Sequence, residues 1–299
     1  GSMSSVFRLG LPGIGFTART QQGIEVVEDH PLYRDFLDNA RSTPADLEVP
    51  VEVVIEEPRP DPAWPVVFDS GESWLTYRDG PDLVFAFRSA ADGDAVWWLA
   101  RLTPADPKVI VVCDPEVIER TPAVTRIANP IHYPLDQLLT MMLLANRGGF
   151  IVHAAGVHRN ARGVACIGRS GAGKTTLMEM LAARADLDRL SDDRLILRVS
   201  EPPLVSGTPW AGEGMVAANS TAELAALVFL HQGASNELQT ISPQKAAAQL
   251  LPTTSIPWFD EGSMTGCLDT LDRLVRNTPA YNLVFRLDHG AAELIDRII

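Results

Sequence analysis

Residues 167–178, with the sequence IGRSGAGKTTLM, match the phosphate-binding loop pattern G-x-x-x-x-G-K-[ST] at every fixed position. The apolar run from Gly163 to Ile167, just before the loop, is typical of a short buried strand. After the loop, Thr175 to Arg184 consists of good helix formers with apolar residues at helical spacing. The sequence therefore predicts a strand, a glycine-rich loop and a helix in succession.

The residue types of this loop suit the binding of a nucleotide's phosphates. Glycines let consecutive backbone N–H groups point at one anion, and the N-terminus of the following helix adds a partial positive charge. Lys174 supplies a full charge for the β- and γ-phosphates, and the hydroxyl of Thr175 is a ligand for Mg²⁺. The alternative is a glycine-rich turn that caps a helix and binds nothing. The predicted phosphate-binding residues are Gly168, Arg169, Ser170, Gly171, Ala172, Gly173, Lys174, Thr175 and Thr176.

Composition narrows the choice of partners and of compartment. The 299-residue chain has a formal net charge of −13 and no dense basic run, which argues against nucleic acid or an anionic membrane as partner. Its three cysteines have neither metal-ligand spacing nor a disulfide pattern, so we expect a cytoplasmic protein. The longest apolar run, Leu138 to Ala145, is too short to span a bilayer.

The order of predicted elements divides the chain into two parts. Residues 66–113 contain short β-branched and aromatic runs separated by turn residues, which predicts a small, mostly antiparallel sheet. A helix over Tyr133 to Arg147 and a strand over Phe150 to Val157 precede the phosphate loop, and strands and helices alternate after it. We therefore predict an α/β fold with a β-rich N-terminal domain at 1–128, used for substrate recognition, and a nucleotide-binding domain at 129–299.

Two adjacent carboxylates, Asp192 and Asp193, come soon after the predicted loop helix. Because side chains alternate along a strand, the two cannot point the same way. In a phosphoryl-transfer site one can hold Mg²⁺, directly or through water, while the other takes the proton of the acceptor hydroxyl. A solvated acidic turn is the alternative. The short spacing from Lys174 favours a role beside the loop.

These residues together resemble HPr kinase/phosphorylase and, more remotely, phosphoenolpyruvate carboxykinase. The likeness depends on the loop at 168–175, on the pair Asp192-Asp193 at short range, and on His153 within the run Val-His-Ala. The segments 207–210 (GTPW) and 279–286 are similar to divergent relatives of HPr kinase, among them kinases of lasso-peptide precursors. The resemblance covers about residues 133–299 and implies a P-loop core like that of HPr kinase and phosphoenolpyruvate carboxykinase, with a β-rich N-terminal part.

The resemblance also implies a role for each matching residue. Lys174, counted among the catalytic residues, and the loop backbone would bind the phosphates of ATP. Thr175 and Asp192 would hold Mg²⁺. Asp193 would be the catalytic base towards a serine-type hydroxyl, and His153 would match the active-site histidine of the family.

A further carboxylate, Glu213, lies in the region where the family has another metal-site residue. The full signature segment of the bifunctional enzymes is missing there, so the resemblance does not extend to a reverse phosphorylase activity.

We therefore expect an ATP- and Mg²⁺-dependent kinase that transfers the γ-phosphoryl group to a hydroxyl, with serine as first choice, of a peptide or small protein. A biosynthetic precursor peptide is one such substrate. One alternative is a kinase of small molecules such as free serine, and another is a regulator that binds ATP without transferring phosphate. No nucleic acid or membrane partner is expected, and the chain could form a homo-oligomer.

Overall fold

The computed structural model describes residues 6–37, 45–89, 91, 93, 95–169, 173–184, 186–286 and 288–299. The chain divides into two compact units, Gly1–Leu143 and Leu144–Ile299. The described residues form a mixed α/β protein with several sheets and few helices, which confirms the predicted class of fold. No helix in the described part of the chain is both long and apolar enough to cross a membrane.

The first unit is built mainly from strands, with a 3₁₀ turn at Pro31–Phe36. Its elements are β1 (Val6–Leu11), β2 (Ile14–Arg19), β3 (Glu25–Val27), β4 (Leu47–Ile55), β5 (Val66–Asp69), β6 (Trp74–Asp79), β7 (Asp82–Ser89), β8 (Ala95–Thr103), β9 (Lys108–Cys113), β10 (Glu119–Arg120), β11 (Thr125–Ala128) and α1 (Leu135–Leu144), whose last residue begins the second unit. Within the described residues, one sheet has the order β1-β2-β4-β9-β8-β7-β6-β5 and another the order β10-β11-β3.

The alternation of apolar and polar side chains along the strands determines which face of the larger sheet is buried. Along β4, Val49, Val51 and Val53 are buried, whereas Glu48, Pro50 and Glu52 at the alternate positions are exposed. The period of two places the valines on the same face, where they leave water together. The pairings of β2 with β4 and of β4 with β9 are parallel, and the strands from β5 to β9 are joined by antiparallel pairings. The mostly antiparallel sheet predicted for residues 66–113 is therefore confirmed.

The second unit combines one large sheet with four helices in its described residues. Its elements are β12 (Gly149–His153), β13 (Ala155–Arg159), β14 (Arg162–Ile167), α2 (Lys174–Ala182), β15 (Asp188–Ser191), β16 (Arg194–Arg198), β17 (Leu204–Gly207), β18 (Thr221–Gln232), β19 (Glu237–Thr240), α3 (Pro243–Leu250), α4 (Glu261–Arg276), β20 (Ala280–Phe285) and α5 (His289–Asp296). The sheet has the order β12-β16-β17-β18-β14-β13-β15, with β20 paired to β18 and β19 paired to β20.

Helices cover both faces of this sheet. Val164 and Cys166 of β14 pack in one apolar cluster with Leu181 of α2, whereas the neighbouring Ala165 and Ile167 pack in a second cluster on the other face. Helix α5 contributes to the first cluster, and helices α3 and α4 contribute to the second. Strands that are covered on both sides carry continuous apolar runs, which explains the uniform hydrophobicity of residues 163–167.

The prediction of one continuous strand over Phe150 to Val157 is wrong. The strand is interrupted at Ala154, because β12 pairs with β16 whereas β13 pairs with β14 and β15. Apolar residues lie on both sides of the break, so the local pattern shows a single run. Three further strands in the described part of the second unit were not expected: β15, in the short connection before the aspartate pair, β17, in the proline- and glycine-rich segment that follows β16, and β19, between β18 and α3.

The division between the units lies near the end of α1, whereas the sequence placed the domain boundary before this helix, at residues 128 and 129. Hydrogen bonds tie the start of the helix to the first unit. The indole Nε1 of Trp98 donates to the carbonyl of Pro130 at 2.8 Å, and the hydroxyl of Tyr33 donates to Asp136 at 2.6 Å. The backbone N–H of Tyr133 donates to the same hydroxyl at 3.1 Å. These partners are distant in sequence, so no local pattern marks them.

Candidate functional site

The predicted phosphate loop begins at the carboxyl end of strand β14. Gly168 and Arg169 follow the strand, and helix α2 begins at Lys174. Gly173 caps this helix with a φ of 86°, a left-handed conformation that glycine adopts without steric strain. Strands β14, β18 and β20 are parallel, so their carboxyl ends lie at one edge of the sheet, where ligands of α/β sheets bind. The predicted phosphate-binding residues outside the described part of the chain are Ser170, Gly171 and Ala172.

Lys174 is partly buried in the first turn of α2, and the charges of the aspartate pair act on it. Burial lowers the pKa of this lysine, whereas the carboxylate of Asp193 acts in the opposite direction. Arg194 lowers the pKa of the lysine further, and Asp192 raises it. The acidic pair therefore lies within electrostatic range of the lysine. The two threonines that follow are the exposed Thr175 and the partly buried Thr176.

The carboxylate of Asp192 is bound by the loop between β17 and β18. Its Oδ1 accepts hydrogen bonds from the backbone N–H groups of Gly212 at 3.1 Å and Val216 at 3.2 Å. Its Oδ2 accepts a hydrogen bond from the N–H group of Gly214 at 2.7 Å. The structure thus gives Asp192 the role of an anchor for residues 212–216. A carboxylate oxygen can accept two bonds, so Oδ2 retains a site for a further donor such as a water molecule.

Glycine allows the close approach of this loop to the aspartate pair. A Cβ atom at Gly214 would lie 2.7 Å from Oδ2 of Asp192, and one at Gly212 would lie 3.1 Å from Cβ of Asp193. Side chains at these positions would therefore push the amide groups away from the carboxylate. Glu213, the residue between the two glycines, is exposed.

Asp193 contacts two basic side chains. Its Oδ1 lies 2.9 Å from Nε2 of His153, and its Oδ2 accepts a 2.8 Å hydrogen bond from the guanidinium of Arg194. Burial acts to raise the pKa of Asp193, but the bond with His153 and the charge of Arg194 outweigh it. Lys174 adds to this effect, so the pKa of the carboxyl group lies below its ordinary value. Asp193 is therefore ionised at neutral pH and can accept a further hydrogen bond.

His153 and the aspartates come together at two places where one strand ends and the next begins. Strand β12 ends and β13 begins around Ala154, and β15 ends and β16 begins around Asp192 and Asp193. The two interruptions are adjacent, because the N–H of Ala154 donates to the carbonyl of Asp193 at 3.0 Å. The buried hydroxyl of Ser191 accepts the N–H of Asp193 at 3.3 Å and so stabilises the turn of the chain. The arrangement therefore depends on backbone pairing as well as on side chains.

A cavity of about 1020 Å³ adjoins these residues. Its lining includes Gly168 and Arg169 at the start of the loop, together with His153 and Arg194. Ligand sites commonly enclose about 300–1,000 Å³. The space is therefore sufficient for a nucleotide's phosphates and an acceptor group together.

Sequence reasoning missed Arg194, whose only signal is its position directly after the aspartate pair. It also missed a polar cluster formed by His231, Gln249 and Asn282. Nε2 of His231 lies 2.8 Å from Oε1 of Gln249 and 3.2 Å from Oδ1 of Asn282. His231 and Gln249 line the same cavity. The three residues come from β18, α3 and β20, so no motif unites them in the sequence.

The donor groups near Lys174 are compatible with Mg²⁺. In the described part of the chain, no three His, Cys, Asp or Glu side chains group closely enough to hold a metal ion. Mg²⁺ at phosphoryl-transfer sites needs no such group, since substrate phosphates, water and one or two carboxylates complete its six ligands. The exposed hydroxyl of Thr175 is available as one ligand. Asp192 would contact the ion through a water molecule at the site that Oδ2 retains, because two backbone amides already occupy Oδ1.

The described fold and side chains define a mixed α/β protein in which a helix N-terminus, a lysine and an aspartate–histidine pair share one site. No protein-family model matches the chain, and no curated protein matches it either.

Proposed function

We propose that this protein is an ATP- and Mg²⁺-dependent kinase with an HPr-kinase-like P-loop core. It transfers the γ-phosphoryl group of ATP to a hydroxyl, serine first, of a peptide or small protein. The observation that carries the proposal is the position of Asp193, hydrogen-bonded to His153 and within electrostatic range of Lys174. Phosphoryl transfer to a hydroxyl depends on a cation at the phosphates and a positioned carboxylate at the acceptor, and Lys174 and Asp193 would supply these two groups.

Each side chain has a definite task in this scheme. Lys174 and the backbone amides of the loop bind the phosphates, and Arg194 stabilises negative charge on the phosphoryl group during transfer. Asp193 orients the acceptor hydroxyl and takes its proton, while His153 holds the carboxylate in place. When bound at Thr175, Mg²⁺ supplies charge neutralisation at the phosphate oxygens.

The lowered pKa of Asp193 is compatible with this role. Phosphoryl transfer passes through a loose transition state, in which positioning and electrostatic stabilisation contribute most of the catalysis. A carboxylate that stays ionised and is fixed by two basic partners meets that requirement better than a strong but mobile base would.

The choice of a peptide over a free amino acid is supported by the space beside the loop. The cavity of about 1020 Å³ lies at the upper end of the usual range for ligand sites, which suits a chain segment better than a single small alcohol. The three cysteines are buried free thiols, which supports the proposed cytoplasmic location.

The test is a phosphorylation assay with the full chain, γ-labelled ATP, Mg²⁺ and a library of serine-containing peptides, read by mass spectrometry. We expect phosphoserine on a subset of peptides. Lys174→Ala should reduce transfer by at least about 100-fold, because the charge on the phosphates is lost. The matched control is Lys108→Ala, a substitution at an exposed position of β9 in the first unit, which should leave transfer unchanged.

Three outcomes would contradict the proposal. Binding of ATP without consumption would favour the regulator, and phosphorylation of free serine but of no peptide would favour a small-molecule kinase. Equal transfer by the wild type and the Lys174→Ala variant would exclude the phosphate role of the lysine.

A further inference from the structure

A second cavity, of about 450 Å³, lies within the first unit. Residues from β3 and the following segment, from β7 and β8, and from the stretch between β11 and α1 line it. Its volume lies within the usual range of about 300–1,000 Å³ for ligand sites. The proposed kinase chemistry uses no residue of this cavity.

Aromatic rings form much of the wall. Phe87 and Trp98 are partly buried and line the cavity, and the hydrogen bond from the indole Nε1 to Pro130 fixes the ring of Trp98. Tyr133 also lines the cavity, and 56% of its surface is exposed. The cavity therefore offers three aromatic side chains to a ligand.

A hydrogen-bonded carboxylate, Glu28, belongs to the polar part of the lining. One of its oxygens lies 2.5 Å from Nδ1 of His132 and accepts a 3.2 Å bond from the amide of Asn129. Only 6% of the Glu28 side chain is exposed. The ring of Tyr33 lies against that of His132, with 4.7 Å between centroids. These contacts hold the polar groups in fixed positions.

The charges around the cavity favour a cation. Glu28 and the exposed Asp29 line it, and the buried Asp136 acts electrostatically on His132 from the first turn of α1. Two imidazoles also line the cavity: His132, which is paired with Glu28, and His30, whose Nδ1 accepts a hydrogen bond from the N–H of Leu32. Among the described residues that line the cavity there is no lysine or arginine. The resulting negative potential lies next to aromatic faces, the combination that attracts organic cations.

We propose that this cavity binds the side chain of an arginine presented by a peptide. A planar guanidinium stacks on aromatic rings and donates in a fork to a carboxylate, so it matches Trp98, Tyr133 and the carboxylate of Asp29 together. The more strongly hydrated ammonium of lysine matches the ring faces less well. The first unit would then recognise a basic residue of a peptide ligand.

This proposal concerns binding alone and does not depend on phosphoryl transfer. Arginine binding with no kinase activity would leave it intact, and kinase activity without arginine binding would overturn it while leaving the proposed function standing.

The experiment is isothermal titration of the full chain with N-acetyl-alanyl-arginyl-alanine amide and, separately, with the same peptide containing citrulline. Citrulline has nearly the shape of arginine but no charge, so we expect at least about ten-fold weaker binding. Asp29→Asn and Tyr133→Ser change exposed side chains of the cavity and should each weaken arginine binding several-fold. Glu52→Gln, an equal charge change at an exposed position of β4, is the control and should have no effect. Circular dichroism checks that each variant is folded.

Equal affinity for the two peptides would overturn the proposal, because it would show that the charge is not recognised. Absence of binding at millimolar peptide would overturn it as well. Tighter binding of an acidic peptide, or arginine binding that both cavity variants retain in full, would place the interaction elsewhere on the molecule.

Discussion

His153 and Asp193 are 40 residues apart in the chain, yet Nε2 of the histidine lies 2.9 Å from Oδ1 of the aspartate. Both residues lie at strand ends, and the backbone bond from Ala154 to Asp193 holds these ends together. The carboxylate is thus oriented by the sheet itself and by two basic side chains, His153 and Arg194.

The first prediction concerns the ionisation of Asp193. His153→Ala removes the hydrogen bond that contributes most to lowering the pKa of this carboxyl group, so its pKa should rise towards the ordinary value. The pKa is measured by following the carboxyl carbon resonance with NMR during an acid titration. As a control, His158→Ala removes a histidine that bonds to the carbonyl of Asn160 and should not change the titration. An unchanged pKa in the His153 variant would refute the stated cause.

The second prediction concerns Asp192 as an anchor. Asp192→Ala removes the acceptor of three backbone N–H groups, at Gly212, Gly214 and Val216. Hydrogen bonds to a charged group contribute about 1.5–3 kcal/mol, so amide exchange in this loop should accelerate about ten-fold or more. Hydrogen–deuterium exchange read by mass spectrometry measures this change.

Asp188→Ala, at an exposed position of β15, is the matched control and should leave exchange of the loop unchanged. If exchange in residues 212–216 were the same in the wild type and in the Asp192 variant, the three hydrogen bonds would not be what orders the loop.

Local patterns were enough to predict the elements around the phosphate loop. The helices expected over Thr175 to Arg184 and Ser263 to Asn277 are present as α2 and α4, and the strand expected over Gly163 to Ile167 is present as β14. Their apolar spacing and turn residues lie within a few residues of one another, so the signal needs no knowledge of the fold. The ends of these elements differ from the predicted ones by at most two residues. Helix ends depend on capping contacts, such as the hydrogen bond that the N–H of Ser263 donates to the carboxylate of Asp260.

The third prediction concerns Gly207, at the end of β17. A Cβ atom here would lie 2.0 Å from the carbonyl oxygen of Ala218 and 2.4 Å from that of Leu190, both of which belong to the backbone. Gly207→Ala should therefore lower the free energy of unfolding by at least about 2 kcal/mol. Chemical denaturation followed by circular dichroism measures the change.

Gly262→Ala, in the first turn of α4, is the matched control, because a Cβ at this position would lie within 4 Å of nothing but its chain neighbours and the backbone of its own helix. Alanine favours the helix, so this variant should be unchanged or about 0.5–1 kcal/mol more stable. A Gly207 variant as stable as the Gly262 variant would show that β17 does not pack as described.

The fourth prediction concerns the pH dependence of stability in the first unit. The hydrogen bond to Glu28 raises the pKa of His132 above its ordinary value of 6.5. The protonated histidine therefore stabilises the folded state. This contribution is fully present below pH 6.5 and is lost as the pH rises through the raised pKa. Between slightly acidic and alkaline pH, the free energy of unfolding of the His132→Gln variant should therefore fall less than that of the wild type.

Denaturant unfolding at a series of pH values tests this prediction. His158→Gln serves as the control, because its ring bonds to a backbone carbonyl rather than to a carboxylate. A pH profile of the His132 variant that matches the wild-type profile would contradict the role of the histidine–glutamate pair.

Contacts between distant segments explain what the sequence could not predict. Ala154 interrupts a run that is apolar throughout, and only the pairing of β12 with β16 shows where the strand ends. The spacing of Asp192 and Asp193 from the loop drew attention to both residues, but it does not distinguish a loop anchor from an orienting carboxylate. That distinction depends on the amide groups of residues 212–216 and on Arg194, which no local motif marks.

The most direct test of the proposed chemistry is the Asp193→Asn variant, assayed for ATP binding by calorimetry and for γ-phosphoryl transfer to a peptide that the wild type phosphorylates. The amide has the size of the carboxylate but cannot take a proton, so we expect ATP affinity within about three-fold of the wild type and transfer reduced at least about 100-fold. Asp188→Asn is the matched control and should transfer normally. Transfer by the Asp193→Asn variant at the wild-type rate would contradict the account.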